Sequence, residues 1–555
     1  PPPRQLPSPR PRGRASRCFS PPDRAVRSAS GVAAHAGLRA QRSRAGSLRW
    51  RMSSFYVTTP IYYVNAAPHL GHAYTTIAAD VMARHHRQRG SDVFFLTGTD
   101  EHGEPVALAA EAQGISPREL ADRNAERFKA LAPQLDATND FFIRTSDAEH
   151  VKAVQDVLSR VRDNGYVYLG TYEGWYCPRC ADFKSESEIV EGNRCPIHLI
   201  ELTREQEENY FFKLSAFQGR LETLYEERPD FVGPDARRNE ALSFIRSGLQ
   251  DVSLTRAKLT WGVPVPWDEG HVFYVWFDAL LNYYTALTYA RPGEDLVERF
   301  WPADVHLIAK DILKFHCVFW PALLMAADLP LPKRVFVHGY LLMDGHKMSK
   351  SLGNVLDPFA VIDRYGSDAL RYYLLRDVTF GQDGSVSTAD FEARYEAELA
   401  NDFGNLASRT IKMVLRYRDG AVPQVELDKD IASEFEGLVE RVCELIDRQD
   451  LTNALVEIWK RVQRLNRYVD EQAPWKLAKE EGRAADLDRA LATLIEGLRV
   501  VGVLLSPYIP ERAGRLLEAL GRTDLSLENA RFGALVPERV SDLEPLFPKP
   551  QPQAS

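Results

Sequence analysis

The sequence predicts an α/β fold: a doubly wound parallel sheet that carries an inserted module and is followed by an all-α helical bundle. Three observations carry this reading. Apolar runs without alternation, such as DVFFLTGTD at 92–100, fit strands buried on both faces, which a parallel sheet covered on both sides requires. An alanine-rich amphipathic stretch from about Leu70 to Arg89 joins two such runs into a βαβ unit. Beyond Asp390 the strand signals stop, and apolar residues recur at steps of three and four.

The first strand is expected in FYVTTPIYYV, Phe55 to Val64, where β-branched and aromatic residues concentrate. Ala66-Ala67-Pro68 ends it, the crossover helix follows, and Gly90 stops that helix before a strand ending at Asp100. Strand-like runs return at Val272–Trp276, Val305–Ile308 and Val335–His338, so this Rossmann-type sheet is expected to resume after an insertion. In the last third, Ile431, Phe435, Leu438, Val442 and Leu445 form one helical stripe, and Leu455, Ile458, Val462, Leu465 and Val469 another. The expected organisation is an Arg/Pro-rich extension over 1–52, the first half of the α/β domain over 53–165 and an inserted module over 166–266. The second half over 267–342, a linking loop segment over 343–395, a helical domain over 396–547 and a tail over 548–555 complete it.

Composition narrows the function class. The chain has 555 residues, 45% of them hydrophobic and 26% charged, enough apolar side chains for several cores. No apolar run reaches the length of a membrane-spanning helix. Six cysteines are too few for a disulfide framework in a chain this long, which suits a reducing compartment, and a cytoplasmic location is expected. Residues 1–51 hold twelve Arg and one Asp with no Lys or Glu, a charge of +11 that leaves −19 on the rest of a chain totalling −8. That segment reads as a nucleic-acid-binding arm, a transit peptide, or sequence upstream of a start at Met52, and the last is preferred. The acidic body argues against indiscriminate binding to phosphate backbones.

Five groups of residues carry chemistry. His69 and His72 in APHLGHAY fall on one face of a helix start at the carboxyl end of a parallel strand, a place for anionic phosphate. Asp100 ends the next strand and faces the same crevice, where it could pair with an ammonium group or cap the following helix. The basic, hydroxyl-rich loop GHKMSKS, with Lys347 and Lys350, could close over a polyphosphate, the plainer reading being an exposed turn. Cys177, Cys180, Cys195 and His198 stand at tetrahedral zinc spacing; four protein ligands leave no open position, so the metal would be structural. Cys18, Cys317 and Cys443 have no such neighbours. In the helical region Asn401, Asn405 and Arg409 are spaced by four, and Pro474-Trp475 lies between helices. Together they offer hydrogen bonds and a stacking plane to unstacked RNA bases, although each also has a packing role open to it.

HLGH and KMSKS in this order resemble the two signatures of the class I aminoacyl-tRNA synthetases. Within that class the chain is similar to the methionyl-tRNA synthetase family through TTPIYYVNAAPHLGH, FLTGTDEHG, WGVPVPW, YVWFDALLNY, HLIAKDILKFH, GHKMSKSLGN, NDFGNLASR and DEQAPW. Only about one hundred residues separate the sheet halves, too few for an editing domain, and the single CxxC…CxxH knuckle resembles the bacterial one-zinc form. The resemblance implies that Asp100 holds the amino group of L-methionine, while Ile61, Trp276, Ala279, Tyr283, Ile312 and His316 enclose its side chain with Tyr63 nearby. It implies that His69 and His72 contact ATP, which arrives with Mg²⁺, and that Lys347 and especially Lys350 stabilise the transition state as pyrophosphate leaves. It also implies that Asn401, Asn405, Arg409, Pro474 and Trp475 read the anticodon of tRNA(Met), initiator tRNA included. One structural Zn²⁺ per chain, no membrane partner and a monomer are expected. Ala309 stands where the family usually has Gly, so the nucleotide site is where crowding is expected. Two other readings compete: a non-catalytic tRNA-binding or zinc-dependent nucleic-acid-binding protein, and a nucleotidyl transferase that activates a different acid. Both phosphate motifs speak against the first, and the Trp276/Tyr283 wall with the Pro474-Trp475 pair against the second.

Overall fold

The computed structural model describes residues 53–549 apart from 179–181, 185, 187, 198, 258, 344–345 and 348–355. The Arg-rich extension, Cys180, His198, Lys350 and residues 550–555 therefore lie outside the described residues, and of Lys347 only the backbone is described.

The main sheet is parallel throughout. Strands β1 (Ser54–Thr58), β2 (Tyr62–Tyr63), β3 (Asp92–Asp100) and β4 (Phe141–Arg144) make one side, and Val305–Ala309, Val335–His338 and Val232–Gly233 the other. β1 sits in the middle, paired with β3 on one edge and Val305–Ala309 on the other. Side chains alternate between two layers, as a period of two demands. Phe55, Val57, Val93, Phe95 and Leu307 pack with helix α1 (Leu70–Gln88) on one face. Tyr56, Phe94, Leu96 and Ile308 pack with the helices Ala148–Asp163 and Trp320–Ala326 on the other. Both faces are covered, which is the doubly wound arrangement.

Three local expectations change. The Phe55–Val64 run is two strands, because Pro60 has no N–H for the ladder; β2 resumes along the same edge of β3 with the register moved from Thr58↔Leu96 to Tyr62↔Thr99. Val272–Phe273 does not belong to the main sheet: it pairs antiparallel with Thr255–Arg256, and the chain turns at once into the helix Val275–Leu280. Val232–Gly233, inside the segment read as inserted, supplies the outer parallel strand beside Val335–Phe336. The rest of that segment is built on an antiparallel sheet in which Val167–Cys177 pairs with Thr203–Phe212 along its length.

The helical part packs on the α1 side, and one continuous apolar core runs from the sheet into it. Leu455, Ile458, Val462, Leu465 and Val469 are buried on the single helix Leu451–Gln472. The Ile431–Leu445 stripe is instead two helices, Lys429–Phe435 and Leu438–Asp447, divided at Gly437, whose φ of +71° is left-handed.

Candidate active site

The chain winds from β1 outward through β3 to β4 and returns on the opposite side at Val305–Ala309, so a crevice opens at the carboxyl ends of these strands. His69 caps α1 at this crevice. Its Nδ1 accepts from the Gly71 amide at 3.1 Å, and the His72 Nδ1 accepts from the His69 amide at 3.1 Å. Both capping bonds use Nδ1, so each neutral ring keeps its proton on Nε2 as a donor. The rings stack with centroids 3.7 Å apart, and His72 rests on Tyr62 at 4.6 Å. Burial, then the neighbouring His69, holds His72 well below the usual imidazole range, which keeps it a neutral hydrogen-bond donor.

Asp100, at the end of β3, is 2% exposed, and its Oδ1 has no hydrogen-bond partner. It is not a helix cap: the next helix starts at Glu104 behind Gly103, with no side-chain cap. Burial, then the charges of Asp278 and Glu101, push its carboxyl well above the usual range. A buried carboxylate with an orphan oxygen fits a cation, since pairing removes the penalty of leaving it unmatched.

Beside it stands an aromatic wall. Trp276 lies flat on Phe315, centroids 3.8 Å apart at 6°, and Tyr63 meets its edge at 6.0 Å. The Tyr283 hydroxyl is 2.7 Å from His316 Nε2, while His316 Nδ1 is 3.0 Å from the Ile312 carbonyl. The carbonyl can only accept, so Nδ1 carries the proton and Nε2 accepts from Tyr283. Burial lowers His316 to about 4, which keeps this ring neutral. Ala279 is buried on the helix Val275–Leu280, and Ile61 and Ile312 are half-buried against the same apolar cluster. The polar atoms of Tyr283 and His316 satisfy one another, so the pocket suits a weakly polar side chain and penalises one that brings its own unpaired donors.

Several residues of this site are not singled out by the sequence reading. Phe315 supports Trp276 from a π-helical turn, Phe315–Phe319, that also carries His316. Glu101 receives Arg144 at 2.6 and 2.9 Å, and Asp278 receives His102 at 2.7 Å and His150 at 2.8 Å. Phe315, Glu101, His102 and Asp278 lie inside the motifs HLIAKDILKFH, TGTDEHG and YVWFDALLNY, which assign them no role; His150 and Arg144 come from elsewhere in the chain. Ala309 is extended at φ −84°, ψ 158°, so its methyl group strains no backbone. Lys347 pairs with Leu342 in a short antiparallel ladder after the last sheet strand. A cavity lined by Arg84, Gln88 and Leu525 lies at the opposite end of α1, away from these groups.

In the helical part Asn401, Asn405 and Arg409 are all exposed. Asn401 sits on a π-helical stretch, Tyr395–Gly404, that runs into the α-helix Asn405–Arg418, so the expected spacing on one regular helix is interrupted. The Arg409 guanidinium is 3.5 Å from Asp470, which links this face to the turn where Ala473, at φ 42°, hands over to buried Pro474. Trp475 is 37% exposed there. In the inserted module Cys177 and Cys195 are fully buried and share one small cluster with Leu202.

Comparison with known proteins places this geometry in a family. The family described as tRNA synthetases class I (M) matches residues 55–206 and 191–411, and the anticodon binding domain of methionyl tRNA ligase matches 420–537. The chain is 48% identical over 503 residues to a methionine--tRNA ligase of Caldanaerobacter subterraneus, covering 89% of this chain and 79% of that one. To the Streptomyces coelicolor methionine--tRNA ligase it is 46% identical over 514 residues, covering 90% and 94%. The solved structure of Mycobacterium tuberculosis methionyl-tRNA synthetase in complex with methionyl-adenylate superposes with a TM-score of 0.86 at 42% identity, covering 90% of this chain and all of that one. With both family descriptions covering most of its length and relatives this similar, the chain belongs to the methionyl-tRNA synthetases of class I.

Proposed function

We infer that this chain activates L-methionine with ATP to methionyl-adenylate and transfers the methionyl group to the 3′ end of tRNA(Met), the initiator included. Family membership carries the reaction. The observation that supports its placement in this molecule is Asp100, a buried carboxylate with one oxygen left without a partner beside the Trp276–Tyr283–His316 wall.

The methionine ammonium pairs with Asp100 while the thioether lies against the wall. This fixes the carboxylate for in-line attack on the α-phosphorus of ATP, with pyrophosphate leaving. The Nε2–H groups of His69 and His72 donate to phosphate oxygens at the start of α1, where the helix end also favours negative charge. Lys347 and Lys350 neutralise charge on the departing pyrophosphate, and Mg²⁺ enters with ATP. Little proton transfer is needed in the first step, so positioning and charge stabilisation carry most of the acceleration. An apolar pocket separates similar side chains by only about 1–3 kcal/mol, which leaves norleucine and homocysteine as competitors.

Asn401, Asn405, Arg409, Pro474 and Trp475 are assigned to the anticodon. Cys177 and Cys195, buried side by side, fit two thiolates of a structural zinc site completed by Cys180 and His198; one zinc per chain by elemental analysis, lost on Cys177→Ser, tests this. The test of the methionine site is Asp100→Asn: the KM for methionine in ATP–pyrophosphate exchange rises by about tenfold or more while the KM for ATP holds, as expected for a lost charged hydrogen bond. An unchanged methionine KM would remove Asp100 from the ammonium site.

A further inference from the structure

Two buried carboxylates face each other's charge in this crevice, and their hydrogen bonding separates their roles. Both oxygens of Asp278 are occupied, Oδ2 by His102 Nδ1 at 2.7 Å and Oδ1 by His150 Nε2 at 2.8 Å, and Asp278 is fully buried. Asp100 keeps Oδ1 without any partner. The fully bonded carboxylate is a support, and the other is the one left for a ligand.

The support joins three pieces of chain. His102 belongs to the turn that follows Asp100, Asp278 to the helix that carries Trp276 and Ala279, and His150 to the helix Ala148–Asp163, where its Nδ1 lies 2.7 Å from Thr285 Oγ1. The turn is clamped further. The Trp261 indole donates to the Glu101 carbonyl at 2.5 Å, Gly103 donates to the Trp261 carbonyl at 3.1 Å, and Trp261 meets the His102 ring edge-on at 5.2 Å. Gly103 has φ +94°, and a Cβ there would stand 3.2 Å from Val275, so the turn lies against the start of the Trp276 helix.

We propose that His102, held by Asp278, is a positioning residue for methionine: it locks the Asp100 turn to the helix bearing Trp276 and Ala279, so that ammonium site and side-chain pocket keep one fixed separation. The inference rests on the reading of Asp100 as the ammonium ligand. His102 acts through Asp100 and touches no substrate. Against the effect of burial, His102 and His150 hold the Asp278 carboxyl below its usual range, so it stays ionised and its charge, after burial, opposes ionisation of Asp100.

A double-mutant cycle on the full chain tests this, with KM for methionine and for ATP read in pyrophosphate exchange and folding checked by thermal unfolding. His102→Leu is expected to raise the methionine KM about tenfold, the scale of a lost charged hydrogen bond, with the ATP KM within about twofold. His102→Asn, whose amide can donate to Asp278 from nearly the same place, restores the methionine KM to within about threefold. In the Asp100→Asn background His102→Leu adds no further increase, since the group it positions is gone. Full additivity of the two changes, or a methionine KM unmoved by His102→Leu, overturns the proposal. Asp278→Asn run through the same cycle decides it if His102→Leu does not fold. An Asp100→Asn protein with unchanged methionine KM instead overturns the ammonium reading, so the two failures are distinct.

Discussion

His316 shows how a single proton sets the character of the pocket. Its ring donates to the Ile312 carbonyl and accepts from Tyr283, an arrangement that only the neutral tautomer permits. Burial lowers it to about 4, against 6.5 for an unfolded histidine. Between these values the unfolded chain binds the proton and the folded chain does not, so the contribution of His316 to stability is full above about pH 6.5 and falls as the pH drops toward 4. The methionine KM, read from the folded enzyme, is expected to be flat through neutral pH and to rise only as the pH approaches about 4, as Nε2 gains a proton and Tyr283 loses its acceptor. In Tyr283→Phe the midpoint of that rise moves upward, because the unpaired Nε2 protonates more readily; a pH series of KM values for both proteins checks this. At this scale much was legible. HLGH, TGTDEHG and YVWFDALLNY named the histidines, Asp100 and Trp276 because chemistry concentrates in short motifs. The partners His150 and Arg144 were not legible, since contacts between residues such as Asp278 and His150 leave no mark in a single sequence.

At the level of elements, α1 followed directly from the sequence: an amphipathic stretch, a break before it and Gly90 after it. What failed was short strands and helix joints. Val272–Phe273 and Val232–Gly233 are two residues each, and tertiary pairing rather than composition decides which sheet takes them. The π-helical turns carrying His316 and Asn401 leave no periodic signature, because one extra residue per turn looks like noise in a stripe of three and four. In the helical part, the Pro474-Trp475 pair expected between helices instead opens a short helix, Pro474–Leu477, with Trp475 exposed and Pro474 buried. Trp475→Ala is expected to weaken tRNA charging by about tenfold or more, since stacking one base is worth about 1–3 kcal/mol, with amino-acid-dependent exchange unchanged. A parallel loss in both assays would make Trp475 a packing residue.

Across the whole molecule the α/β part and the helical part share one core, and a single buried arginine ties them. Arg371 reaches Asp80 of α1 at 2.7 Å, the Leu135 carbonyl at 3.0 Å, and the carbonyls of Pro507 and Tyr508 at 2.6 and 3.0 Å. Gln88 at the end of α1 adds a bond to the Val503 carbonyl at 2.9 Å. The helix that presents His69 and His72 to the crevice is thus fastened at its other end to the helical part. Arg371→Met leaves Asp80 with its interior partner missing, and a loss of about 3 kcal/mol in stability is expected from denaturant unfolding, the scale for breaking a buried ion pair. Among the described residues no helix is long and apolar enough to cross a membrane. The two-part plan was visible as a change of periodicity near Asp390, whereas the joint was not: Arg371 looks like any surface arginine until the fold closes over it.

The most direct test of the site as described is amino-acid-dependent ATP–pyrophosphate exchange by the full chain, with each of the twenty amino acids offered separately and no tRNA present. Exchange supported by methionine, abolished or strongly weakened by Asp100→Asn, is the expected result. Exchange supported by a different amino acid, or by methionine equally well with Asn at position 100, would contradict it.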